Sequence, residues 1–164
     1  MKYAIFLMIA LCWVIAGYSQ ALSPAAIDSL ILIQRSIPDT YQYDYSALEK
    51  EGNLYTRFEL TADTTTKQLL RAIYTEEGKT VWIIHYYFYN NQLVKVESMN
   101  RDDIRPFPFA VYYFCADKLI LQKGKNISLE NKKLFGKISR VSLPDQGRYW
   151  LSQFDYFANR RTEY

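Results

Sequence analysis

A nucleophile pair, a metal centre or an acid–base pair has little material to draw on in this chain. His85 is the only histidine, and Cys115 is the only cysteine besides Cys12. A Cys–His pair is activated only when its members lie within hydrogen-bond reach. In a run of consecutive antiparallel strands, one strand would separate these two residues, about 10 Å for two strand spacings. Zinc asks for three or four convergent ligands, and no His/Cys pair stands at ligand spacing. The acidic pairs Glu49/Glu51, Glu76/Glu77 and Asp102/Asp103 are the material for glycosidase-like work. That chemistry sets two carboxyls across a cleft, about 5–10 Å apart, whereas neighbours in a turn simply meet water. No G-x-S-x-G elbow, phosphate-binding glycine loop or H-E-x-x-H motif occurs. These residues point away from an enzyme and imply no cofactor and no metal. A hydrolase built on His85 or an acidic pair ranks behind two binding roles.

Tyrosine is the stronger material. Aromatic residues make up 16% of the chain, and 15 are tyrosines. Tyr and Trp combine a large apolar area with a polar tip, which suits protein or sugar partners. In "TVWIIHYYFY" (80–89), alternation puts Trp82, Ile84, Tyr86 and Phe88 on one face of a strand. Ile83, His85, Tyr87 and Tyr89 fall on the other. The first face is expected to be core. Tyr87, Tyr89 and Tyr113, together with His85, are the candidate binding residues.

The elements that position these side chains follow from a repeat. "HYYFYNNQLVKV" (85–96) and "VYYFCADKLILQ" (111–122) align at an offset of 26 residues. The alignment matches Tyr86, Tyr87, Phe88 and Leu93 with Tyr112, Tyr113, Phe114 and Leu119. Each copy reads as a long apolar strand, a tight turn and a return strand led by leucine. Asn90-Asn91 suits a two-residue hairpin turn because Asn tolerates the left-handed region. Strands are also expected at 54–61 and 67–75, the latter with helical character at Leu69, Leu70 and Ile73. Tyr41, Tyr43 and Tyr45, spaced by two, mark a short strand or loop packing, and a short strand is expected near 138–143.

Two helices frame the sheet. In "SPAAIDSLILIQRSIP" Ser23 can cap, Pro24 suits the first turn and Pro38 stops the run. Ile27, Leu30, Ile31 and Gln34 share its inner stripe. From Pro144 onward, Trp150, Leu151, Phe154 and Phe157 or Ala158 recur at helical spacing. If helices 23–37 and 143–159 cover one sheet face, the aromatics on that face fill the core. The expected fold is α+β: a six- or seven-stranded, mostly antiparallel meander with N-terminal and C-terminal helices packed on it.

The first 19 residues read as a signal peptide. Lys2 precedes an apolar run from Ala4 to Ala16, and Gly17 and Ser19 suit a cleavage before Gln20. That run is shorter than the roughly 20 residues a span needs, so no stable membrane insertion is expected after cleavage. Residues 20–164 then form a single domain, exported to the periplasm or secreted. Removing Lys2 leaves 19 Lys and Arg against 17 Asp and Glu, a net charge of +2 that singles out no partner. Residues 39–103 hold 11 acidic and 7 basic side chains, while 118–148 hold 8 basic and 2 acidic. An anionic surface could meet that basic segment, although solvated loops are the simpler account, and no nucleic acid is expected. Cys115 is left alone, so no internal disulfide can form, and a buried thiol is expected. Asn126-Ile127-Ser128 matches a glycosylation acceptor.

A signal ending in "YS" before Gln20, a short helix and "YYFYNNQLVKV"-type hairpins together resemble small exported bacterial β-meander proteins. More loosely, the plan is similar to β-lactamase-inhibitor-like and cystatin-like modules, with the likeness spanning 54–123. The resemblance implies an antiparallel sheet behind a helix and carries over no functional residue. The function expected is a non-catalytic exported module that binds a protein or cell-envelope component through an aromatic sheet face. The alternative is a small-ligand carrier with an aromatic pocket under the C-terminal helix.

Overall fold

A computed structural model describes residues 22–38, 40–49, 54–77, 81–101, 108, 110–124 and 142–160. The signal peptide, the glycosylation tripeptide and the short strand expected near 138–143 lie outside these residues, apart from Ser142 and Leu143. Helix α1 (Pro24–Arg35) is followed by seven strands. These are β1 (Thr40–Glu49), β2 (Leu54–Asp63), β3 (Leu69–Glu77), β4 (Val81–Tyr89), β5 (Gln92–Asn100), β6 (Ala110–Cys115) and β7 (Lys118–Gly124). Helix α2 (Leu143–Arg160) ends the described chain. The strands form one antiparallel sheet in sequence order, β1 through β7. Among the described residues no helix is long and apolar enough to cross a membrane.

The helix boundaries follow from capping. Ser23 Oγ accepts from the Ala26 N–H at 3.2 Å, and Pro24 takes the first turn, where its missing N–H leaves nothing unpaired. At α2, Ser142 Oγ accepts from the Asp145 N–H at 3.3 Å, an N-cap, while its hydroxyl donates to the Asp145 carboxylate. Gly147 lies in the first half of α2 because a Cβ there would stand 3.0 Å from Leu93 Cβ. Its absence lets the helix close onto the β4–β5 hairpin.

Both repeat hairpins turn through two residues in the left-handed region: Asn90 and Asn91 (φ 49° and 56°), then Ala116 and Asp117 (φ 46° and 62°). Such a turn matches the right-handed twist of its strands. Asn visits this region readily; alanine pays a steric cost between Cβ and backbone. Ala116→Gly is therefore expected to stabilise the fold by about 0.5–1 kcal/mol, after allowing for the added freedom of the unfolded chain. A rise in urea midpoint with unchanged slope would show it; no rise would mean the turn relaxes its strain elsewhere.

Three hairpins end in the same irregularity. The register shifts between Thr61 and Ala62, between Tyr87 and Phe88, and between Tyr113 and Phe114. Each shift leaves one residue of the return strand unpaired: Leu70, Val94 and Ile120. A bulge of this kind re-aims its neighbours. Leu93 packs with the α2 core and Val94 with the α1 core, yet Lys95 again reaches α1. The triplets Leu69-Leu70-Arg71, Leu93-Val94-Lys95 and Leu119-Ile120-Leu121 mark these places in the sequence.

The two helices take opposite faces of the sheet, not one shared face. Trp150 and Phe154 of α2 pack with Trp82, Ile84, Tyr86, Phe88 and Tyr112. Ile27 and Ile31 of α1 pack with Tyr87, Val94 and Tyr113. The strands are apolar on both faces, so each needs its own cover. The Trp150 ring lies 5.3 Å from Phe58, 6.0 Å from Tyr74 and 5.8 Å from Tyr86, centroid to centroid. The Tyr86 hydroxyl donates to Gln146 Oε1 at 2.5 Å, tying the sheet centre to the first turns of α2. This face is filled: Tyr86, Phe88, Val96 and Trp150 are each 0% exposed. These side chains fill the space beneath the middle of α2, while a cavity of about 360 Å³ lies between its first turns (Pro144, Gly147, Arg148 and Leu151) and the tips of the β4–β5 and β6–β7 hairpins.

Candidate functional site

The strand register lays Thr61, Arg71, Tyr87, Lys95, Tyr113 and Leu121 side by side across β2 to β7. Helix α1 crosses this row. Its Asp28, Ile31 and Arg35, spaced by three and four, share one stripe, and together with the row they make a charged seam. Lys95 Nζ stands 2.7 Å from Asp28 Oδ1 and 2.6 Å from Glu97 Oε1. The Tyr113 hydroxyl donates to Asp28 Oδ2 at 3.0 Å. Arg35 Nη2 donates to the Tyr87 hydroxyl, which donates to Glu97 Oε2, both at 2.9 Å. Gln34 Nε2 donates to the Phe88 carbonyl at 2.8 Å and fixes the end of α1 against β4.

These contacts set the protonation states. Burial alone would pull the Lys95 ammonium down, but its hydrogen bonds to Asp28 and Glu97 outweigh that and raise its pKa. Burial, then the Glu97 charge, pushes the Tyr87 phenol up, and burial with Asp28 does the same at Tyr113. His85 is held down to about 4, first by burial and then by the Arg71 charge, with Glu97 opposing. Its Nδ1 lies 3.2 Å from the Tyr87 hydroxyl. Because that hydroxyl's single proton goes to Glu97, the contact is a hydrogen bond only if Nδ1 carries the imidazole proton.

The four residues singled out from the sequence therefore have different fates. Tyr87 and Tyr113 do not form an open platform: they are 2% and 3% exposed beneath α1. His85 is half-buried at the edge of the helix, in contact with Tyr87. Tyr89 is 36% exposed at the tip of the β4–β5 hairpin, beyond the seam. The structure joins His85, Tyr87 and Tyr113 through the seam and leaves Tyr89 outside it. Cys115 is half-buried rather than buried. Strand β5 lies between its strand and that of His85, and it sits four residues, roughly 13 Å, beyond the Val111 that shares the row of His85. Glu76 is 3% exposed and accepts from the Tyr74 hydroxyl at 3.0 Å, while Glu77 is exposed and, by alternation, on the other face. The other acidic pairs lie outside the described residues or have side chains outside them. Among the described residues no three His, Cys, Asp or Glu side chains are grouped to hold a metal ion.

Sequence reasoning missed Asp28, Arg35, Arg71, Lys95 and Glu97. One sign of them was present: Lys95 interrupts the apolar run Leu93–Val96, where a strand buried on both faces would otherwise carry no charge. Lys95 is 8% exposed and neutralises two acids at once. Lys95→Met is expected to cost about 2 kcal/mol, less than the roughly 3–5 kcal/mol of a fully buried broken pair because Asp28 keeps water contact. Adding Glu97→Gln should restore at least half of it by removing the stranded charge. Urea unfolding of the single and double variants tests this, and a double variant no more stable than the single would refute it.

Comparison with family models, with curated proteins and with solved structures finds no match to this chain. The seam itself holds Lys95 between two carboxylates and locks Tyr87 and Tyr113 by hydrogen bonds.

Proposed function

We propose that this chain is an exported, non-catalytic binding module, periplasmic or secreted. It contacts a protein or cell-envelope component through the sheet face that α1 only partly covers. The observation that carries the reading is an apolar strip outside both core clusters. Ile73, Ile83 and Met99 are half-buried and belong to neither core. Ile83 pairs directly with Met99 across β4 and β5. Ile73 pairs with His85, which places it diagonally beside Ile83. Contiguous apolar surface of this kind favours a partner that removes it from water. The contact thus lies further along the strands than Tyr87 and Tyr113, with His85 at its border.

The non-catalytic part is supported by proton affinities. A general base works best with a pKa near the operating pH, and His85, held to about 4, is neutral and weakly basic at pH 7. Lys95 stays charged and bound to its two acids. A photo-crosslinking residue in place of Met99 is expected to capture a stoichiometric partner from envelope extract. The same residue in place of exposed Ser152 on α2 should not, and Ile83→Ser should reduce capture at position 99. Equal capture from both positions, or none at 99, ends this reading.

A further inference from the structure

The end of α1 leaves a cleft of about 170 Å³ between itself and strands β1 to β4. Arg35 and Arg71 line it, with Thr61 beside them and Ile31, Ile37 and Leu70 as apolar walls. The bulge at Leu70 explains why two successive side chains of β3 both reach it. No carboxylate among the described residues lines the cleft. Among the described residues neither guanidinium has an acidic partner, although Arg35 donates to Tyr87. Arg71 Nε is buried and makes no hydrogen bond. A buried charged donor without a partner is costly and rare, so this atom marks a place where an acceptor belongs.

We propose that this cleft binds a small organic carboxylate, its oxygens held by Arg35 and Arg71 and its apolar body seated against Ile31, Ile37 and Leu70. Guanidinium groups present parallel N–H donors that match a carboxylate. The volume is close to the ~150 Å³ cavity that admits benzene, so a ligand of benzoate size fits. A monoanion is favoured over a phosphate for two reasons. The C-terminal end of α1 brings about half a negative charge to the same place, and the apolar walls offer a dianion nothing. The site is separate from the Ile73–Ile83–Met99 strip and stands whether or not that strip has a partner.

Isothermal titration calorimetry of the purified full-length chain with sodium benzoate tests the site. Saturable one-to-one binding is expected, with benzyl alcohol and inorganic phosphate each at least about tenfold weaker. Arg71→Gln should weaken benzoate at least tenfold, whereas Arg148→Gln, on the opposite face, should leave it unchanged. If Arg71→Gln loses its folded circular dichroism spectrum, Arg35→Gln takes its place in the titration, because Arg35 is exposed and outside both cores. Four results overturn the proposal: no saturable benzoate binding, phosphate or benzyl alcohol binding as tightly as benzoate, affinity unchanged in the folded cleft variant, or loss in Arg148→Gln equal to that in the cleft variant.

Discussion

Trp150→Ala is expected to destabilise the fold by about 4 kcal/mol, within the range for truncating a fully buried tryptophan. Trp150 is 0% exposed and meets Phe58, Tyr74 and Tyr86, so its ring touches β2, β3 and β4 at once. Removing it opens a cavity that the twisted sheet cannot close, since the strands are held by their own ladder hydrogen bonds. For a domain whose whole stability is about 5–15 kcal/mol, that is a quarter or more of the total. Tyr149, next in sequence and 42% exposed, is the control. Its ring also contacts Trp150, at 4.9 Å, but water already solvates much of it. Tyr149→Ala should cost within about 1 kcal/mol. Urea unfolding at constant slope compares the two, and equal losses would mean that α2 is not anchored through Trp150.

The second large effect is a pH dependence centred on His85. Burial and the neighbouring Arg71 charge lower its folded pKa from 6.5 to about 4. Between those two values the unfolded chain binds a proton that the folded chain refuses, so stability falls with falling pH. The contribution is complete above about pH 6.5, declines as the pH drops toward 4, and changes no further below that. At about 1.36 kcal/mol per pKa unit, the native chain should lose roughly 3 kcal/mol from this source between pH 7 and pH 4. His85→Gln removes the titration while every other group titrates as before. The difference between the two stability profiles therefore isolates His85. Parallel profiles for the native chain and His85→Gln would show that the imidazole titrates alike in both states.

The same residue illustrates how far the sequence reaches. Alternation along 81–89 placed His85 and Tyr87 on one face and Trp82 and Tyr86 on the other, and the two core clusters separate Tyr87 from Trp82 and Tyr86 in the same way. It said nothing about Arg71 or Arg35 standing near the imidazole, and those charges help to decide its proton affinity. Tyr41, Tyr43 and Tyr45 left strand and loop both open; β1 is a strand of ten residues, paired with β2 along its length. The period of two was legible, but whether a tyrosine-rich edge pairs depends on a neighbour far enough along the chain to return beside it.

What the sequence determined by itself is what neighbouring residues enforce on one another. Ser23 and Pro24 start α1, Asn90-Asn91 and Ala116-Asp117 turn the hairpins, and the 26-residue repeat orders the strands, because caps, turn angles and alternation are local. The tertiary structure decided the rest. Strands apolar on both faces can be covered by either helix, so the chain pattern could not assign α1 to Tyr87 and Tyr113 and α2 to Tyr86 and Trp150. The bulges at Leu70 and Val94 rotate Arg71 and Lys95 toward α1, and only strand pairing reveals an extra residue. Asp28, Arg35, Arg71, Lys95 and Glu97, spread over three separate elements, became one charged seam because packing brought them to the same edge of a helix.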